Sequence, residues 1–171
     1  MEIWEILDKN RRKTGKLVER GKPMTQDEYH LVVHVWIVNS KGEFLIQKRA
    51  PNKTYPNMWD ITGGSAILGD DSLQAALREV KEEIGIELSA HQGECFKSYI
   101  SQNADFPQFT DVWLFMADFD ISEVVCQPEV VAEAKWAASE EILLMIKRGE
   151  FVDAMPYLDE IFKRGKDVFG G

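Results

Sequence analysis

The chain has 171 residues, 44% of them hydrophobic and 29% charged, a size and balance that predict one domain able to bury roughly 68–70% of its unfolded surface. Twenty Lys and Arg against twenty-nine Asp and Glu leave a net charge of −9, which argues against nucleic-acid and membrane partners and requires any phosphate ligand to be met locally, by a metal or a few bases. No apolar run approaches the roughly 18 residues of a membrane span, and Met1–Arg12 lacks the pattern of a secretory leader, so a cytoplasmic protein with Cys95 and Cys126 reduced is expected.

No repeat or low-complexity tract interrupts the chain. Trp4–Leu7 and Lys16–Glu19 flank a charged turn, Asp8–Gly15, and predict a hairpin within an N-terminal extension over residues 1–28. Arg11-Arg12-Lys13 reads as solvated turn charge rather than an anion site. His30–Asn39 and Glu43–Arg49 are rich in Val, Ile and Phe around Asn39-Ser-Lys-Gly42 and predict a hairpin of core strands. A third strand, Trp59–Thr62, runs into Gly63-Gly64, glycines that permit tight turning and close approach of a carbonyl to an ion. Strands near Glu94–Ser101, Thr110–Phe119 and Val130–Trp136 make the sheet mixed. Two helices close the chain over residues 139–165: one from Ser139 to Gly149, with Ile142, Leu143 and Ile146 on its apolar side, and one after Pro156 up to Gly165.

The strongest helix signal is Asp71–Ile84, where Leu73, Ala76, Leu77, Val80 and Ile84 follow the i, i+3, i+4, i+7 pattern of one buried stripe. Asp71 with Gln74 forms a capping-box pattern, and Gly85 sits where a left-handed residue ends a helix. At about 100° per residue, Glu79, Glu82 and Glu83 share a face beside that stripe. They lie in the last two turns, where the helix dipole disfavours anions, and Glu79 with Glu83 is a repulsive i, i+4 pair. A hard divalent cation removes both penalties, since Mg²⁺ takes carboxylate and phosphate oxygens. A solvated acidic face is the competing explanation.

The string from Gly64 through Asp70 to Arg78-Glu79-Val80-Lys81-Glu82-Glu83-Ile84-Gly85-Ile86 closely resembles the signature of the Nudix hydrolases over residues 64–86. That resemblance implies an α/β fold, an α/β/α sandwich on a mixed sheet, over one domain spanning 1–171. It also implies a metal site made by the Gly63 carbonyl, Glu79, Glu82 and Glu83, with Arg78 orienting the glutamates. Mg²⁺ is the implied cofactor, with Mn²⁺ as a substitute. The implied activity is cleavage of a diphosphate linkage in a nucleoside-diphosphate-type or related small molecule. One departure is Asp70, which stands where the pattern has Glu and is a methylene short.

The stretch Leu7–Trp59 is similar to a narrower branch, the Nudix proteins related to isopentenyl diphosphate isomerase. Those isomerases carry Cys-Gly-His where this chain has Thr62-Gly63-Gly64, so a catalytic Cys and a ligand His are missing and hydrolysis fits the residues better than isomerisation. A Nudix domain that binds a ligand without catalysis is a third class. The same resemblance makes Arg49 and Lys53 candidate diphosphate-binding residues and Asp111 a candidate accessory acid; Glu129 is a further candidate acid, and ordinary strand-edge carboxylates are the alternative for both. His30 and His34 share one strand face, and a buried, hydrogen-bonded imidazole is favoured over a ligand. Tyr55, Trp59, Phe106 and Phe109 are read as core aromatics before stacking platforms. A homodimer is not indicated by any feature of the sequence.

Overall fold

The computed structural model describes residues 1–101 and 106–170. Strands β1 (Ile3–Leu7) and β2 (Lys13–Glu19) form the expected antiparallel hairpin. Its turn is tighter than expected, because the Asp8 carboxylate accepts from the backbone N–H of Asn10 and Arg12 and bends the chain there. Trp4 and Ile6 point inward, and the hairpin is tied to the body by Leu68 N–H donating to the Ile3 carbonyl at 2.8 Å and by a bridge between Leu7 and Tyr29.

Seven strands build the main sheet: β3 (His30–Val38), β4 (Phe44–Arg49), β5 (Trp59–Asp60), β6 (Thr62–Ser65), β7 (Gly93–Ser101), β8 (Gln108–Met116) and β9 (Val131–Ala137). The sheet is mixed as expected: β3 runs parallel to β8 along its whole length and antiparallel to β6 over Val32–Val35. The expected hairpin of β3 with β4 exists only at its tip, where Val38 pairs with Phe44. Beyond the tip each strand has another partner, β3 taking β6 and β4 taking β9 and β5. This divergence opens the sheet, and a cleft lies at the opening. Gly63 and Gly64 belong to β6 rather than to a loop after it.

Alternation along β3 divides the core in two. Val33, Val35 and Ile37 face helix α1 (Ser72–Ile84) and pack on Ala75, Ala76, Val80 and Ile84. Trp36 and Val38 face the other side, with Phe44, Ile46, Ile142 and Met145 and, from the C-terminal helix, Ile161 and Phe162. Each such side chain contributes roughly 1.5–3 kcal/mol by leaving water. With α2 (Ser139–Lys147) and α3 (Leu158–Gly170) on that second face, the architecture is an α/β/α sandwich. Two expectations are corrected here. On α2 Ile142 and Ile146 pack on the core as expected, but Met145 takes the place expected of Leu143, which is 42% exposed. Helix α3 continues past Gly165, because this glycine is a packing position: a Cβ there would come within 2.5 Å of the Phe44 ring. No helix among the described residues is long and apolar enough to cross a membrane.

Candidate active site

Helix α1 starts and stops as its sequence directs. Asp71 caps it, accepting from Gln74 N–H at 2.8 Å while the Gln74 side chain accepts from Asp71 N–H at 2.9 Å, and Gly85 ends it at φ 68°. The rotation of the helix buries Glu79 and Glu83 together with the apolar stripe. They stand one helical turn apart and line the same cleft, where each carboxyl shifts the titration of the other. Burial, and next the neighbouring Glu79, hold Glu83 well above the usual carboxylate range against the opposing amide of Gln47. Burial raises Glu79 too, with Glu83 and Arg78 acting the other way. Glu82 is not part of this pair: its side chain is 52% exposed and turned to Arg78.

Arg78 is the hub that holds the motif together. Its guanidinium donates to Asp70, to Glu79 at 3.1 Å, to Glu82 at 3.1 Å and to the Ser65 carbonyl at 3.2 Å. The shorter side chain of Asp70 still makes the link, because Asp70 Oδ2 also accepts from Ile67 N–H and so sits inside the turn that leads to the helix. Gly64 is required by contact and not by turning: a Cβ there would lie 2.6 Å from the Glu79 carboxyl. Gly63 is equally confined, with the Val33 carbonyl 2.8 Å from where its Cβ would be.

Glu79, Glu82, Glu83, Gly63 and Gly64 line a cleft of about 960 Å³ that also receives Arg49, Lys53, Tyr55, Asp60, His34 and Tyr99. Arg49 is clamped, with Nη1 donating to Asp60 Oδ2 at 3.1 Å and Nε to the Thr54 carbonyl. Lys53 makes no ion pair among the described residues. Of the four aromatic candidates only Tyr55, 53% exposed at φ 53°, faces the cleft. Phe106 stands edge-on to Trp4 and His30, Phe109 packs on Tyr29, and Trp59 lies under the Lys135 ammonium.

The structure does not bring every candidate to the cleft. Asp111 is buried on the α1 side of the sheet, where it takes both ends of the Arg11 guanidinium and the hydroxyls of Ser72 and Ser98 at 2.6 and 2.7 Å. Arg11 is therefore a clasp between the hairpin and the sheet and not a solvated turn charge. Glu129 is an exposed turn residue beside the cleft-lining Gln127 and Val130. His34 meets its expectation, its Nδ1 lying 2.7 Å from the Tyr157 hydroxyl, which also accepts from Trp36 Nε1–H at 3.0 Å. His30 meets it too, buried and stacked on Trp4 at 4.0 Å with Nδ1 3.4 Å from the Ser65 hydroxyl, while Nε2 has no partner among the described residues, and burial lowers both imidazoles to about 4. Sequence reasoning missed Gln47, Asp60 and the rim ion pair of Arg20 with Glu2 at 3.0 Å, since nothing local marks residues joined only by strand register.

The sequence matches the NUDIX domain over residues 28–157, which is most of the chain. It belongs to the Nudix family. A Nudix hydrolase of Listeria monocytogenes, lmo0368, is 40% identical over 164 residues, covering 95% of this chain and 94% of that one. The isopentenyl-diphosphate Delta-isomerase of Pectobacterium atrosepticum is 34% identical over 83 residues, 47% of this chain and 46% of that one. Among solved structures, DR0079 from Deinococcus radiodurans superposes with a TM-score of 0.74 at 24% identity over 95% of this chain and 98% of its own. This Nudix hydrolase is thus an enzyme of phosphoric anhydride bonds, in a family that acts on nucleoside-diphosphate-linked substrates and generally uses divalent metals. Its residues fit such a metal with one qualification. Two buried carboxylates of raised pKa beside a glycine strand suit Mg²⁺, which binds through one or two carboxylates and keeps waters and substrate oxygens. No three His, Cys, Asp or Glu side chains among the described residues stand as a ready ligand set, and Arg78 Nη1 bridges Glu79 and Glu82.

Proposed function

We propose that the protein is a Mg²⁺-dependent hydrolase that cleaves the diphosphate linkage of a nucleoside-diphosphate-type or related small molecule in the β3–β4 cleft. The observation that carries this reading is the Glu79–Glu83 pair, two buried carboxyls one helical turn apart that both line a cleft although the helix dipole and their mutual repulsion oppose them. A divalent cation would neutralise the charge that develops on the phosphoryl oxygens and acidify a bound water. Glu79, Glu83 and the Gly63 carbonyl would hold it, with Glu82 joining once released from Arg78. The raised pKa of the pair suits one of its members to take a proton from an attacking water near neutral pH. Arg49, already oriented by Asp60, presents a planar donor to a phosphate, and Lys53 adds a mobile charge. The size of the cleft, about 960 Å³, suits a ligand of nucleotide dimensions.

A phosphate-release screen over diphosphate compounds with and without Mg²⁺ tests this reading, isopentenyl diphosphate being included. Metal-dependent turnover of at least one compound, lost in Glu83→Gln, is expected. Formation of dimethylallyl diphosphate that disappears on substitution of Thr62 would return the protein to the isomerase class. Binding without turnover of any bound compound would make it a non-catalytic ligand domain.

A further inference from the structure

Two side chains outside residues 64–86 act on the buried carboxylate pair from the opposite wall of the cleft. Gln47, on β4, is 5% exposed and donates from Nε2 to Glu83 Oε1 at 2.6 Å. Thr62, on β6, is 3% exposed and its hydroxyl donates to Gln47 Oε1 at 2.8 Å. We infer that Gln47, braced by Thr62, is a positioning residue that fixes which oxygen Glu83 presents to a divalent cation.

The chemistry of the amide supports this. A primary amide has a donor end and an acceptor end. A Glu83 ionised by binding a cation tolerates only the donor end, since the reverse orientation sets a carbonyl oxygen against a carboxylate. Gln47 Oε1 then needs a donor of its own in a buried place, and the Thr62 hydroxyl is that donor; without it an acceptor stays unpaired. With Oε1 of Glu83 engaged, Oε2 is left for the ion. Glu79 is held by a separate device, the Arg78 guanidinium and the crowding of Gly64, so the two carboxylates are held from different elements, Glu83 from β4 and Glu79 from α1 and β6. Thr62 occupies the position of the isomerase cysteine, and here its hydroxyl is committed to bracing an amide.

This inference rests on the metal-dependent reading, and its test separates the two. Binding of Mn²⁺ to the full chain without substrate is followed by the loss of the free-ion EPR signal, in wild type, Glu79→Gln, Gln47→Met, Thr62→Val and Thr62→Ser, with thermal melts for each. Partners of a ligating carboxylate typically change metal affinity 10- to 100-fold, so Gln47→Met should weaken Mn²⁺ binding by about that factor. Thr62→Val should weaken it in the same direction, and Thr62→Ser, which keeps the hydroxyl, should bind as wild type does. If Gln47→Met fails to fold, the Val and Ser pair at Thr62 decides. Wild-type binding abolished by Glu79→Gln but unchanged in folded Gln47→Met or in Thr62→Val overturns the positioning role alone. No Mn²⁺ binding by wild type overturns both readings.

Discussion

Asp70 takes two hydrogen bonds from a single guanidinium, its Oδ2 lying 3.0 Å from Nε and 2.9 Å from Nη2 of Arg78. The side chains are only 14% and 21% exposed, so solvent screens the pair weakly. Asp70→Asn keeps the shape and removes the charge, and should destabilise the fold by about 1–3 kcal/mol, the range for hydrogen bonds to charged groups. A fall in the urea midpoint at constant m checks this. Asp70→Glu, which restores the residue usual at this position in the motif, should stay within about 1 kcal/mol of wild type.

Glutamates of the motif should not be equivalent. Glu83→Gln should lower kcat by a factor of about 10²–10⁴ while leaving stability unchanged or slightly improved, because a buried carboxyl repelled by Glu79 becomes a neutral amide that still accepts from Gln47. Glu82→Gln should cost less than Glu83→Gln, since Glu82 is half in solvent and paired to Arg78. Steady-state rates at saturating Mg²⁺ give the order, and a Glu82→Gln enzyme slower than Glu83→Gln would refute the distinction.

Arg49 and Lys53 should separate in kinetics. Removing a charge-assisted contact from Lys53→Ala should raise KM about ten- to a hundred-fold with kcat little changed. Arg49→Ala does this and also strips Asp60 of its cation partner, in a position where burial already raises the Asp60 carboxyl against Ile61 N–H and Arg49. The Arg49 variant should therefore lose thermal stability as well, and the Lys53 variant should not.

His30 should make folding sensitive to mild acid. Burial first, then Arg20, lower its pKa from 6.5 to about 4. Between these values the unfolded chain binds the proton and the native chain does not, so this contribution is complete above pH 6.5 and is lost as pH falls toward 4. It should amount to about 2 kcal/mol between pH 7 and pH 5. Urea unfolding at the two pH values should show that difference shrinking in His30→Gln, and equal slopes in both proteins would exclude His30 as the source.

Helix α1 was legible in the sequence because its determinants are local: apolar spacing, Asp71 with Gln74 at one end and Gly85 at the other. The acidic face was legible as a conflict with the helix dipole. What could not be read is whatever depends on long-range register. Gln47 and Thr62 are fifteen residues apart in sequence and meet only because β3 and β4 part after one pair. The Asp111 clasp joins residues a hundred apart, and a carboxylate on a late strand carries no mark of which sheet face it will take. Gly165 reads as a stop by composition and is a close contact with Phe44 by packing.

The parallel pairing of β3 with β8 also sets when the cleft comes into being. His30 meets Gln108 and Val38 meets Met116, so the second edge of the central strand stays open until the whole motif helix and β7 have been made. Closing so long a loop is entropically slow, and topologies of this kind fold in milliseconds to seconds rather than microseconds. During synthesis, α1 can coil early from its own caps while Ala75, Ala76, Val80 and Ile84 wait without a complete sheet to cover them. A ribosome-bound chain released before Gln108 would thus carry every residue of the motif and still have no β8 to complete the sheet on which its carboxylates are set, leaving a sticky amphipathic helix for chaperones to shield.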